Sequence, residues 1–181
     1  MGAGPYIDAS PPRALAERLK DRFGDAVLDV AEFRGEITVV VSKDRLLEVA
    51  RHLRKDGDAA FEMLTTVVAM HFLSGDHEHE VVYQLYSVSR NQRLRIKVRL
   101  RPGEVVASLT PIWPGANWLE REQYDLVGVR FQGHPDLRRI IMPEDYPDHP
   151  LRKDFDVEGG PTSIDGEGRP ASPGFRDMEH A

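Results

Sequence analysis

The fold is decided by residues 93–101, RLRIKVRLR, in which cationic and aliphatic side chains alternate at every position. Because successive side chains of a β-strand point to opposite faces, this period of two predicts a strand with one basic and one apolar face. The apolar face must be buried against a second layer. The basic face, for which few opposing acids are expected on adjacent strands, is either solvated or docked on an acidic partner. Nucleic acid is disfavoured, since the aromatic residues of a stacking surface are not interleaved with the cations.

Working outward from this strand, hydrophobic periodicity predicts three helices and five further strands. The helices are expected at 11–23, 43–55 and 118–127, and the strands at 26–33, 36–41, 63–72, 81–88 and 105–109. Arg34-Gly35 is typical of a hairpin turn, and Asn117 with Glu120 resembles a capping box. This order predicts an α+β fold, a mostly antiparallel sheet packed with helices and followed by an extended C-terminal arm.

A chain of 181 residues is long enough for one domain with a substantial core. We expect an N-terminal extension at 1–10, an α+β globular domain at 11–142 and an extended arm at 143–181. Pro143, Pro147 and Pro150 disfavour regular structure at the start of the arm, and its later part is rich in Gly, Pro and Ser.

Composition excludes several classes of function. A net charge of −6 argues against nucleic-acid binding by charge alone. The absence of cysteine excludes disulfides, thiol nucleophiles and cysteine-ligated iron–sulfur clusters, and it fits a reducing cytoplasm. The N-terminus has no apolar signal region, and no window approaches the ~20 apolar residues that span a bilayer. Any membrane association is therefore expected to run through a partner.

Three histidines, His71, His77 and His79, lie around one predicted turn together with acidic residues. His77 and His79 could chelate a metal, but no third ligand is evident from the spacing. The pattern favours an exposed polar turn without a metal.

The segment 117–158 is unusually dense in ionisable and aromatic residues. It contains ten carboxylates, six Arg or Lys, two His, five aromatic residues and four Pro. Charges at this density must be paired across elements or against another chain, because burying them unpaired is costly. On the predicted helix, Arg121 could pair with Asp125, and Glu120 with Tyr124, at a spacing of four.

Catalysis by this segment is the alternative. Acids and bases for a hydrolase are available at Glu120, Glu122, His134, Asp145 and His149. Their spacing matches no motif with a known mechanism, so no catalytic, cofactor-binding or metal-binding residue is assigned.

Three ordered elements of this segment carry a family resemblance: EREQYDLVG at 120–128, GHPDLRRI at 133–140 and HPLRKDF at 149–155. Together they resemble the signature region of the C subunit of NADH:quinone oxidoreductase, respiratory complex I. The looser resemblance upstream includes the basic strand and SLTPIWPGANW at 108–118, and in all it covers about residues 11–157.

The resemblance implies a structural subunit of the peripheral arm of a proton-translocating enzyme, on the cytoplasmic side of the cell membrane. Such a protein has no redox centre of its own and docks on the D subunit, which helps to form the quinone site. The complex would hold FMN, iron–sulfur clusters, NADH and quinone on other subunits. The alternative is the equivalent subunit of a membrane-bound nickel–iron hydrogenase or of a deazaflavin-linked dehydrogenase.

The resemblance and the side-chain chemistry together predict the residues of an interface with the D subunit and other peripheral-arm subunits. Large aromatic residues and Arg are the usual anchors of such surfaces. The predicted interface residues are Trp118, Glu120, Arg121, Tyr124, Asp125, His134, Pro135, Arg138, Arg139, His149, Pro150, Leu151, Arg152, Lys153 and Asp154.

Overall fold

The computed structural model describes residues 13–55 and 60–155. The helices are α1 Arg13–Phe23, α2 Leu46–Lys55 and α3 Ala116–Val127. The strands are β1 Val27–Phe33, β2 Glu36–Val41, β3 Met63–His71, β4 His79–Ser87, β5 Gln92–Leu100, β6 Val106–Ala107 and β7 Phe131–Gln132. In the part of the chain that the structure describes, no helix is long and apolar enough to cross a membrane.

The first five strands form one sheet in the order β1-β2-β5-β4-β3. Three of its four pairings are antiparallel, and β2 with β5 is parallel. The parallel pair arises because the chain passes through α2, β3 and β4 before β5 returns beside β2, and a parallel pair requires such a long connection. The α+β fold class predicted from the sequence is confirmed.

The hairpin at Arg34-Gly35 is also confirmed. Both residues have positive φ angles, 51° and 78°, which is the requirement of a type I′ turn. One short strand, β7, was not predicted; it pairs with β6 in a separate two-stranded parallel sheet. Two residues per strand are too few to leave a periodic signal.

The core lies on one face of the large sheet. The aliphatic residues of β5, from Leu94 to Leu100, are at most 1% exposed and belong to one cluster with the apolar stripes of α1 and α2. The cluster includes Leu15 and Leu19 of α1 and Val49 and Leu53 of α2. The predicted apolar face of the basic strand is thus the centre of the core.

The opposite face of β5 carries the cations, and neighbouring strands neutralise several of them. Lys97 and Arg99 bind Glu80 of β4 at 2.8 and 3.0 Å, and Arg95 binds Glu36 of β2. The adjacent strands supply two acids, Glu36 and Glu80, for the five cations, in line with the expectation of few opposing acids. Which cation meets which acid depends on strand order, which a single sequence does not reveal: Arg99 pairs with Glu80 in the β4–β5 register.

Helix α3 packs along the free edge of the sheet, against β3. The Gln123 side chain accepts a hydrogen bond from the Ala69 backbone N–H at 2.9 Å, which satisfies a donor that an edge strand otherwise leaves open. The helix begins after Gly115, so Asn117 is inside it and the predicted capping box was wrong. The helix ends as predicted at Gly128, which adopts the left-handed conformation with φ 86°.

Candidate interface site

The segment 117–155 folds around the Asp125 carboxylate, which is completely buried. Its Oδ2 accepts backbone N–H bonds from Ile140, Ile141 and Met142 at 3.0, 2.7 and 2.9 Å. Its Oδ1 accepts a bond from Arg139 Nη1 at 2.9 Å. Burial alone would raise the pKa of Asp125, but these donors together lower it, so the group stays ionised.

Arg139 extends this network across three parts of the segment. Besides Asp125, it donates to the backbone carbonyl of Tyr146 at 2.7 Å. The Nδ1 of His149 lies 2.8 Å from the carbonyl of Asp125, and the His149 ring meets Tyr124 edge-on with centroids 5.9 Å apart. The end of α3 is therefore fixed to residues 139–149 by partly buried polar bonds within the chain.

Arg121 does not pair with Asp125, contrary to the spacing-based prediction. Its guanidinium donates to the backbone carbonyls of Arg138 and Arg139 at 3.1 and 3.3 Å. The same group lies 4.8 Å from the centroid of the Trp118 ring, in cation–π contact. Trp118 is 63% exposed, so it presents a large aromatic surface that Arg121 holds in place from behind.

Glu120 is buried inside the domain and does not bond Tyr124. Its carboxyl accepts from Ser108 Oγ at 2.6 Å and from the Leu109 backbone N–H at 2.7 Å. Burial raises the pKa of Glu120 to about 7, because these two donors only partly offset the loss of water. This residue joins α3 to the core.

The loop between β7 and residue 142 is braced against the start of α3. His134 Nε2 lies 3.1 Å from the carbonyl of Asn117, and its Nδ1 accepts the backbone N–H of Asp136. Arg138 forms an exposed bidentate pair with Asp136, and Pro135 is exposed beside it. The hydrogen bonds to Arg121 use only the backbone of Arg138, which leaves its side chain at the surface.

Residues 143–155, here called the arm segment, contain no helix or strand and pack on α3 and on the ends of β3 and β4. The Leu151 backbone N–H donates to the carbonyl of Leu126 at 2.8 Å, directly after Pro150. Arg152 binds Glu78 at 3.2 Å and Asp154 at 2.8 Å, and the Lys153 backbone N–H donates to His71 Nδ1 at 3.0 Å. The spacing of residues in the sequence could not indicate Glu78 as the partner of Arg152, because the two are 74 residues apart.

The predicted exposed turn around the three histidines was wrong for two of them. His71 and His79 are cross-strand partners at the ends of β3 and β4 and are only 7% and 6% exposed. Each lies on the core face because strand alternation continues to the last residue of the pair. His77 stays outside this cluster, beside Glu80 at 3.4 Å.

The acids and bases of the hydrolase alternative are engaged separately. Glu120 binds Ser108, His134 binds Asn117, and His149 binds Asp125. Each of these three groups thus bonds a different part of the chain, and both imidazoles contact a backbone carbonyl.

Three exposed apolar side chains lie on this segment, Trp118, Ile141 and Leu151, and we call them together the α3 surface. They are 63%, 57% and 59% exposed. The backbone under Ile141 is bound to Asp125 and that under Leu151 to Leu126. Exposed apolar residues on a hydrogen-bonded backbone are already ordered, so little conformational entropy would be lost if they were covered.

Comparison with known proteins identifies the family. Residues 39–161 match the model of the respiratory-chain NADH dehydrogenase 30 kDa subunit. The NADH-quinone oxidoreductase C subunit of Geotalea uraniireducens is 43% identical over 143 residues, covering 78% of this chain and 86% of that protein. The C subunit of Geobacter metallireducens is 44% identical over 145 residues, covering 78% of this chain and 88% of that protein.

The C subunit of Roseiflexus sp. strain RS-1 is 45% identical over 141 residues, covering 77% of this chain and 81% of its own. The matched region contains β3 to β7, α3 and the arm segment, so it includes all three elements that carry the resemblance. The chain belongs to the family of the respiratory-chain NADH dehydrogenase 30 kDa subunit, together with the NADH-quinone oxidoreductase C subunits of these bacteria.

Proposed function

We propose that this chain is a structural subunit in the peripheral arm of a proton-translocating NADH:quinone oxidoreductase. It has no redox centre of its own and docks through the α3 surface on the D subunit, which helps to form the quinone site. Flavin, iron–sulfur clusters, NADH and quinone are bound by other subunits. The chain lies on the cytoplasmic side of the cell membrane and is held there by its partners.

The observation that carries this proposal is the construction of the α3 surface. Trp118 lies over the Arg121 guanidinium, which is itself bound to two backbone carbonyls. Ile141 and Leu151 project from backbone that buried groups hold in place. An exposed aromatic anchor with a fixed neighbouring Arg is the usual centre of a protein interface.

The ionic residues support the same function in a different way from that expected. Asp125 binds Arg139, and Arg152 binds Glu78 and Asp154, all within the chain. These pairs shape the docking surface, and the partner contacts the apolar and exposed polar groups around them. Replacing Arg121 or Arg152 would therefore disturb this chain as well as its interface.

Trp118→Ala is the cleaner test, because the exposed ring contributes little to folding. We expect the purified chain to keep its stability within about 0.5–1 kcal/mol, since only a surface cation–π contact is lost. In the native membrane, the amount of complex that co-purifies with the tagged chain should fall severalfold. NADH:quinone activity per assembled complex should stay near the wild-type value.

Phe33→Ala is a matched control. Phe33 is an aromatic residue with 69% exposure, and it lies on β1, at the opposite edge of the sheet from α3. It should leave assembly unchanged. Normal assembly of Trp118→Ala with collapsed activity per complex would refute a structural role, and equal assembly defects in both variants would refute the assignment of the interface to α3.

A further inference from the structure

We propose that His71, Glu78 and His79 form a binding site for a transition-metal ion of the zinc type. The side chains lie where β3 ends and β4 begins, with one potential ligand atom from each within 4.8 Å of the other two. Two imidazoles and a carboxylate are a ligand set that zinc uses widely, with the fourth position open to water. Zinc has no redox chemistry, so such an ion would be independent of the electron-transfer function of the proposed complex.

The distances suit an ion better than direct contacts. Glu78 Oε1 lies 3.7 Å from His71 Nε2, and Glu78 Oε2 lies 3.5 Å from His79 Nδ1. Ligand atoms bound tetrahedrally at about 2.0–2.1 Å are roughly 3.4 Å apart. Each of these two distances is within a few tenths of an ångström of that spacing and too long for a good hydrogen bond. They involve different Glu78 oxygens, and one ligand atom from each residue lies within 4.8 Å of the other two, so the side chains must turn inward to bind a single ion.

Burial supports the assignment. The His71 and His79 side chains are 3% and 7% exposed, and the Glu78 side chain is 21% exposed. Burying two imidazoles beside a carboxylate is costly unless the groups are paired, and no good hydrogen bond joins either ring to Glu78.

The arm segment supplies groups for the outer shell of the site. Arg152 Nη2 binds Glu78 Oε1 at 3.2 Å, which leaves Oε2 free for an ion. Asp154 Oδ1 lies 3.8 Å from His71 Nδ1, close enough to accept its N–H after a small shift. Carboxylates in this position orient metal-binding imidazoles and make them better ligands.

Two contacts oppose the ion and limit its affinity. The Lys153 backbone N–H donates to His71 Nδ1, and it must release that atom when Nε2 binds a metal, because Nδ1 then carries the proton. The Arg152 cation is also nearby, although Glu78 and Asp154 offset its charge. Metal binding should therefore shift the arm segment from Lys153 toward Asp154 as the partner of His71.

Cobalt(II) is a suitable probe, because a four-coordinate cobalt ion absorbs visible light strongly. The full-length chain should bind one Co²⁺ with a saturable absorption change, and Zn²⁺ should displace it. Glu78→Gln, which keeps the shape of a partly exposed side chain, and His79→Asn should each weaken binding at least 10–100-fold, the range seen even for outer-shell groups. Circular dichroism checks that both variants are folded.

His77→Ala is the matched control, since His77 lies in the same turn but outside the cluster. It should bind cobalt as the wild type does. Absence of saturable binding to the wild-type chain would overturn the proposal. So would a loss of binding in His77→Ala equal to that in Glu78→Gln, because it would indicate only adventitious binding by a histidine-rich turn.

Discussion

Replacing Asp125 by Asn should destabilise the signature region, although the two side chains have the same shape. One carboxylate oxygen accepts three backbone N–H groups and the other accepts Arg139. An amide has one acceptor, so its NH₂ must face either Arg139 or the three N–H groups. The smaller loss is the Arg139 bond, and a hydrogen bond to a charged group contributes about 1.5–3 kcal/mol.

The remaining cost comes from Arg139 itself. Its side chain is 11% exposed, and a buried charge that loses its partner costs about 3–5 kcal/mol in total. Arg139 keeps its bonds to the carbonyls of Asp125 and Tyr146, so we expect a destabilisation near the lower end, about 3 kcal/mol. That is a large part of the roughly 5–15 kcal/mol typical of a folded domain.

Urea unfolding of the purified chain measures this change, and hydrogen exchange of the amides of 140–142 locates it. Asp136→Asn is the control, because Asp136 also binds an Arg, Arg138, but in an exposed pair. We expect no measurable change for the control. A free energy of unfolding for Asp125→Asn within about 1 kcal/mol of wild type, with slow exchange at 140–142, would refute the central role of Asp125.

Two further predictions concern the pH dependence of stability and the end of α3. The pKa of Glu120 is about 7 in the folded chain and 4.5 in its ordinary state, so its contribution to stability is complete below pH 4.5 and declines by about 3 kcal/mol as the pH rises to about 7. Glu120→Gln should remove this part of the pH dependence, and unfolding at pH 5, 6, 7 and 8 tests it; an unchanged slope contradicts the assignment. Gly128→Ala should be destabilising for two reasons: the left-handed φ, and a Cβ that would lie 2.7 Å from His149. Gly103→Ala has the same backbone strain in open space, so unfolding free energies that agree for the two variants would show that the His149 contact does not matter.

The elements of the fold could be predicted because each has a local cause. A few neighbouring residues are enough to determine each of three features: the alternation in β5, the Gly at the end of α3 and the positive-φ turn at Arg34-Gly35. The parallel β2–β5 pair could not be predicted in this way. It depends on which strand returns beside which, and the two strands are separated by two further strands and a helix.

The family could be predicted from the sequence, and the contacts of the site could not. The sequence is specific enough to identify relatives at 120–128, 133–140 and 149–155. It does not reveal which group each charged side chain bonds in the folded chain. Arg121 illustrates the difference. A spacing of four suggests Asp125, yet Asp125 is saturated by Arg139 and three backbone groups, so Arg121 takes two carbonyls instead.

This rearrangement changes how the density of charge in the segment should be understood. A chain without long helices or strands between 133 and 155 leaves many backbone N–H and C=O groups without partners, and each must be satisfied if it is buried. Asp125, Arg121, Arg139 and His149 meet that requirement by binding backbone groups. The ionisable side chains thus replace secondary structure in this region. They hold an irregular surface in one shape, on which the apolar side chains of the α3 surface stay exposed.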